Sequence, residues 1–286
     1  MIKLEPVVSV DWLIAHHSEP GLKVIDVRWR LGQPAVGRTL FEKSRIPGAA
    51  FLDIDKDLSE IGDPKRGRHP LPHPARLVET LAQAGIGLGS RVIAYDDAGG
   101  MHAARLFWLM RWLGAQAAVL DGGFPHWIAV GQPIEEGAPQ AIARAEQPLS
   151  PQVDWNMVVS KEVVRKLVKE GMGESVVLDA RARERYRGGV EPIDPKKGHV
   201  PGAKNAPATE NLKDGRFRSR EELRAQFEGL GVKTGEQVIA YCGSGVTAAH
   251  DVLALELAGF SGARLYAGSW SEWSHDPEVE VAVGEA

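Results

Sequence analysis

The chain has 286 residues, enough for two domains of ordinary size, and its 43% hydrophobic and 25% charged content is that of a globular protein. A formal charge of −4 gives no electrostatic reason to expect a nucleic acid or an anionic membrane as partner. The single cysteine excludes an internal disulfide and thiolate clusters, and the nine histidines show no ligand spacing, so neither a metal nor an organic cofactor is expected.

The N-terminal stretch MIKLEPVVSVDWLIAHHSEP carries acidic residues and histidines where a signal peptide would need an unbroken apolar core. No apolar run approaches the length of a transmembrane helix, and the expected location is the cytoplasm. Further along, short stretches recur in order. VIDVR at 24–28 is answered by VLDAR at 177–181, and IPGAAFLDI at 46–54 by VPGAKNAPA at 200–208. Val92-Ile93-Ala94-Tyr95 returns as Val238-Ile239-Ala240-Tyr241, an offset of 146 residues (238 − 92) that Trp127 and Trp273 also keep. A period this long describes a duplicated domain, not a solenoid. The Pro-, Ala- and Glu-rich segment between Gly131 and Asp154 lacks apolar periodicity and reads as the joint. The expected organisation is therefore a first domain over 1–135, a linker over 136–153 and a second domain over 154–286.

In the second half, VVLDA, VIAY and ARLY read as buried strands. SREELRAQFEGLG and TAAHDVLALELAG read as helices, each closed by a glycine. This alternation predicts an α/β fold, with a parallel sheet flanked by helices in each half. Ligands of such sheets gather at the carboxyl ends of strands, where Cys242 follows Tyr241.

The loop Cys242-Gly243-Ser244-Gly245-Val246-Thr247 lies between a strand and a helix expected to start near Thr247 or Ala248. Two glycines let backbone N–H groups turn inward as an anion-binding concavity, and the helix start adds a positive dipole end. Both stabilise a thiolate, the nucleophilic form of cysteine. The matching position in the first half is Asp96, so only one half can use sulfur chemistry; Asp96 also suits a helix cap. A cysteine phosphatase would need an arginine six residues after the cysteine to clamp phosphate, and Ala248 stands there. Sulfur transfer through a persulfide needs no such clamp, because the outer sulfur is a compact anion suited to a ring of N–H donors.

At these residues the sequence resembles the rhodanese superfamily, and within it the branch acting on 3-mercaptopyruvate. The resemblance spans nearly the whole chain: two tandem domains, Asp in place of the first nucleophile, CGSGVT at the active loop, and GSWSEW near the end. The thiosulfate branch usually carries CRKGVT, with cations that the neutral Gly243 and Ser244 do not supply. The resemblance implies an Asp55–His69–Ser244 proton relay meeting across the domain cleft, although His69 alone would read as an exposed histidine of the loop GDPKRGRHPLPHP. It implies that Arg185, in RARERYRGG, binds the donor's carboxylate, with the amides from Gly243 to Thr247 holding the persulfide. The following VEPIDPKKG lacks the branch's second arginine and offers Lys196 and Lys197 as the nearest cations. The implied reaction passes sulfur from 3-mercaptopyruvate through Cys242 to a thiol, thioredoxin or cyanide and releases pyruvate. Thiosulfate as the donor, or a persulfide carrier in a protein relay, are the alternatives.

Overall fold

The computed structural model describes residues 4–60 and 63–285; residues 1–3 and 286 of the expected domains, and Ile61 and Gly62 of the loop before His69, lie outside them. The chain divides into two units, Met1–Glu60 with Leu71–Asp154, and Ile61–Pro70 with Trp155–Ala286. The segment carrying His69 thus packs with the second unit.

The first unit runs β1 (Val7–Val8), α1 (Val10–His16), β2 (Leu22–Asp26), α2 (Val36–Lys43), β3 (Ala50–Phe51), α3 (Pro74–Gln83), β4 (Arg91–Tyr95), α4 (Ala103–Trp112), β5 (Gln116–Leu120) and α5 (Gly123–Ala129). Its sheet has the order β1-β5-β4-β2-β3 with every pairing parallel. Central strands of such a sheet are covered on both faces, which is why Val92 to Tyr95 is a continuous buried run without alternation. Helix α4 is buried on nearly all sides, as its lack of a polar face dictates. The segment after α5 lies along this unit: Ala145 N–H donates to Ala82 O (2.8 Å), and Gln152 N–H donates to Leu113 O (2.9 Å).

The second unit follows with α6 (Lys161–Glu170), β6 (Val176–Asp179), α7 (Arg183–Tyr186), β7 (Lys204–Asn205), β8 (Leu212–Lys213), β9 (Arg216–Phe217), α8 (Arg220–Gly229), β10 (Val238–Tyr241), α9 (Ala248–Leu257), β11 (Arg264–Leu265) and α10 (Ser269–His275). Its parallel sheet, β11-β10-β6-β7, reproduces β5-β4-β2-β3 of the first unit. The single parallel bridge Val158–Leu265 stands where β1 pairs with β5. A small antiparallel hairpin, β8–β9, is an element the strand–helix pattern does not announce. Asp214 (φ 53°) and Gly215 (φ 74°) turn it, the pair of positive angles that an Asp-Gly hairpin turn requires.

The repeat extends to side chains. Arg28 pairs with Asp26 at 2.6 Å and Arg181 with Asp179 at 2.7 Å, all four buried. The Tyr95 hydroxyl accepts from Ile46 N–H, and the Tyr241 hydroxyl from Val200 N–H. No helix among the described residues is long and apolar enough to cross a membrane.

Candidate active site

Strand β10 ends at Tyr241 and delivers Cys242 to the carboxyl edge of the sheet, between β11 and β6. Gly245 adopts φ 80°, which folds the loop back so that its own N–H points at the Cys242 sulfur, 3.1 Å away. The Ser244 N–H points at the same atom from 3.5 Å. Among the described residues, no bond to this sulfur comes from the Gly243, Val246 or Thr247 amide. Val246 is buried, and Thr247 is the half-buried residue preceding α9.

Cys242 is only 1% exposed, so it sits at the bottom of the cradle and not open at its rim. Its inward-facing amides distinguish it from a core cysteine, which would have apolar neighbours and no donors.

A second layer of bonds holds the loop, and it comes from GSWSEW. Cys242 N–H donates to Ser269 Oγ (3.1 Å), Trp270 N–H to Cys242 O (2.9 Å) and Ser271 N–H to Gly243 O (2.9 Å). Ser269 adopts φ 56°, uncommon for a residue with a side chain, and its hydroxyl donates to Tyr266 O (2.9 Å). In the sequence this segment is marked only by the repeat at Trp273 and by GSWSEW, neither of which shows what its serines bind.

His69 is buried, unlike the exposed histidine that its loop composition alone suggests, and its Nδ1 lies 2.7 Å from Ser244 Oγ. A neutral imidazole with an unprotonated Nδ1 can accept the serine proton at that distance. Asp55 belongs to the first unit, where its Oδ2 accepts from Trp29 Nε1 at 3.0 Å.

Arg185 stands beside the loop, one-fifth exposed, and its Nη2 binds Glu191 (2.7 and 2.9 Å) and Asp194 (3.2 Å). Burial raises the Glu191 carboxyl, but hydrogen bonds from Arg185 and from the amides of Asp194 and Ile193 outweigh it and hold the group below its ordinary value. Of the other alternating arginines, Arg183 and Arg187 are exposed and Arg181 is buried on Asp179. The two lysines nearest in sequence are placed elsewhere: Lys196 Nζ binds Asp276 O (2.6 Å) and Val279 O, and Lys197 is exposed. A cation that reaches the loop is Arg68, whose Nη2 lies 3.3 Å from Gly243 O. Its only sequence signal was adjacency to His69.

In the first unit, Asp96 takes the place of the sulfur and fills the equivalent cradle. Its Oδ1 accepts from Ala98 and Gly100 N–H, and its Oδ2 from His102 and Ala103 N–H, all at 2.7–2.9 Å. Burial raises this carboxyl, but His102 and the amides of Ala103, Ala98 and Gly100 outweigh it and keep the group below its ordinary value. It is a permanent anion where Cys242 can hold a transient one. Among the described residues, no group of three or more His, Cys, Asp or Glu side chains is placed to hold a metal ion.

A thiol under main-chain donors, beside a His–Ser pair and at the edge of a parallel sheet, is an arrangement that suits group transfer through sulfur. The Rhodanese-like domain family matches residues 9–130 and 161–276, and the chain belongs to that family. It is 43% identical over 97% of its length to a Pseudomonas aeruginosa protein named "Probable 3-mercaptopyruvate sulfurtransferase", of which 98% is covered. A Mycobacterium tuberculosis relative, 39% identical over 93% of this chain and 92% of its own, is named "Putative thiosulfate sulfurtransferase SseB". The solved structure of a 3-mercaptopyruvate sulfotransferase, SseA from Escherichia coli, matches with a TM-score of 0.81 at 32% identity, covering 93% of this chain and 99% of that one. The chain is a sulfurtransferase with two rhodanese-like domains.

Proposed function

We propose that this enzyme takes sulfur from 3-mercaptopyruvate onto Cys242 and passes it to an external thiol, thioredoxin or cyanide. The observation that supports the reading best is the pair of N–H groups aimed at Cys242 Sγ in a loop that itself carries no cation. The thiolate attacks the donor's sulfur; the S–S bond forms as the C–S bond breaks, and its electron pair passes to the methylene carbon as an enolate. The proton from the donor's thiol ends on that carbon, giving pyruvate and leaving the persulfide as an anion under the Ser244 and Gly245 amides. Preorganised donors at the charge that develops are the kind of term that lowers such barriers most. Ser244 and His69 carry the proton, with Asp55 assigned as the relay's third member, and Arg185 binds the carboxylate. With Cys242 the only thiol, sulfur must leave to an acceptor from outside, and a free thiol of this kind suits the reducing cytoplasm.

Thiosulfate is the second reading, favoured by the two guanidinium groups of Arg68 and Arg185 beside the loop and by the mycobacterial relative's name. Glu191 and Asp194 already offset those two charges, so the surroundings suit a monoanion better than a dianion. Intact mass after mixing with each donor, and kcat/KM for each with cyanide as common acceptor, test the choice. One added sulfur on the Cys242 peptide with the higher kcat/KM for mercaptopyruvate is expected. A higher value for thiosulfate overturns the donor, and a C242S variant that still gains sulfur overturns the mechanism.

A further inference from the structure

The ladder between β10 and β11 breaks where it reaches the Cys242 loop. Its register pairs Ala240 with Leu265, and Tyr266 N–H donates to Ala240 O at 2.9 Å. In a parallel ladder the next bond would run from Cys242 N–H to Tyr266 O. Ser269 Oγ stands between them: it accepts from Cys242 N–H at 3.1 Å and donates to Tyr266 O at 2.9 Å. One hydroxyl is thus inserted into the ladder as a spacer, at the residue where the sheet gives way to the loop.

The first unit shows the same corner without the spacer. At the repeat offset (269 − 123 = 146), Gly123 stands for Ser269, Asp96 for Cys242 and Phe124 for Trp270. Phe124 N–H donates to Asp96 O at 2.8 Å as Trp270 N–H donates to Cys242 O at 2.9 Å, and φ is 53° at Gly123 and 56° at Ser269. A Cβ built on Gly123 would lie 2.3 Å from Asp96 O, so the first unit closes this corner too tightly for a side chain. The second unit admits one, at an angle that strains any residue but glycine. Among the described residues only Asp214 and Ser269 combine a side chain with positive φ, and the hairpin turn accounts for Asp214. Ser269 is fully buried, so the strain there is offset by what its hydroxyl holds.

We propose that Ser269 is a positioning residue for sulfur transfer, its hydroxyl setting the spacing of the β10–β11 ladder so that Cys242 Sγ comes under the Ser244 and Gly245 amides. The strap Ser269–Ser271 holds both main-chain groups of Cys242, the N–H through Ser269 Oγ and the C=O through Trp270 N–H. With both fixed, χ1 is the freedom left to the sulfur, and the 3.1 Å contact from Gly245 N–H depends on where the backbone stands. Without the hydroxyl the direct ladder bond can close, drawing Cys242 toward β11 and out of line with the two amides. The inference rests on Cys242 as the residue that accepts sulfur and adds to that reading what holds it in place.

The test uses full-length wild type, Ser269→Gly and Ser269→Ala, each mixed with 3-mercaptopyruvate and, in parallel, thiosulfate. Intact mass against time gives the maximal rate of sulfur uptake and the donor concentration for half that rate; calorimetry gives Tm. Ser269→Gly loses the hydroxyl and the strain together, so its Tm should lie within about 3 °C of wild type or above it. Its maximal rate should nonetheless fall roughly ten- to hundredfold, the cost of a displaced reacting atom, with the half-saturating concentration little changed. Ser269→Ala loses the hydroxyl and keeps the strained angle, so the same loss of rate at a lower Tm is expected. It also carries the test if the glycine variant does not fold. A wild-type rate in either variant overturns the spacer, as does a loss of rate that follows Tm, which would mark Ser269 as structural. A rise in the half-saturating concentration at an unchanged maximal rate overturns it too. A wild type whose Cys242 peptide gains sulfur from neither donor overturns the reading of Cys242, and the spacer with it.

Discussion

Gly243 and Gly245 flank Ser244 and answer to different constraints. At Gly245 the angle φ 80° is one that side chains rarely adopt, and an added Cβ would fall 2.3 Å from Ala267 O, a backbone atom that cannot give way. Gly245→Ala is therefore expected to cost more than the roughly 1–3 kcal/mol of a left-handed non-glycine residue, visible as a lowered Tm, and to abolish persulfide formation because the 3.1 Å N–H contact to sulfur is lost. An alanine variant that keeps wild-type Tm and turnover would show that the loop does not depend on this angle. Ser244 and His69, 2.7 Å apart, are expected to act as one unit. Ser244→Ala and His69→Ala should each lower kcat for the donor half-reaction by roughly 10²-fold or more, and the double variant should be little worse than either single one. Additive losses would separate the two residues into independent roles.

Helix α9 starts at the loop and is buried along almost its whole length, yet it carries Asp251 into the core. Oδ1 of Asp251 accepts from Asn211 Nδ2 at 2.7 Å, and Oδ2 has no partner among the described residues. Burial holds this carboxyl well above its ordinary value of 3.8, against the pull of Asn211. The folded state then keeps a proton that the unfolded chain releases, so stability falls as pH rises from about 4 until the folded group itself titrates. Asp251→Asn removes that difference. Its Tm relative to wild type should be higher at pH 8 than at pH 4.5, and thermal unfolding at the two pH values checks it; a difference independent of pH would mean the carboxyl is ionised in place. Elements of this kind were legible in proportion to their unbroken local pattern. β6, β10, α8 and α9 are continuous apolar or capped runs, and α8 closes with the reciprocal Ser219–Glu222 cap at its start. The two-residue strands β8 and β9 carry too little pattern to show in the sequence. The strap from Ser269 to Ser271 was illegible for another reason: its bonds to Cys242 and Gly243 join residues 27 or more positions apart, which no periodicity encodes.

Two units on one plan differ in what their loops hold, Asp96 in one and Cys242 in the other, and this much followed from reading the repeat against itself. The path of the chain did not. It leaves the first unit after Glu60, contributes the next ten residues to the second, and rejoins the first at Leu71. Composition marked that stretch as a solvated basic loop, because arginine, proline and glycine describe its polarity and say nothing of its partners. In the fold it supplies His69 to Ser244 and Arg68 to Gly243 and Asp194, and a Cβ added at Gly67 would meet Gly268 O at 2.5 Å, so the backbone there is packed close. The proposed site is thus incomplete as a contiguous sequence: residues 155–286 hold Cys242, the two amides aimed at it and Arg185, but not His69, proposed above as the proton acceptor, or Arg68, which lies against Gly243 O. Replacing Asp63–Pro70 in the full chain by a Gly/Ser run of equal length removes both at once. The losses of His69 and of the Arg68 charge beside the loop should multiply, lowering kcat/KM for 3-mercaptopyruvate by roughly 10³-fold or more. Calorimetry should still show cooperative unfolding, since the sheets β1-β5-β4-β2-β3 and β11-β10-β6-β7 draw no strand from the replaced stretch. Retention of pyruvate release within tenfold of wild type, with unfolding intact, would mean that the second unit is complete without it.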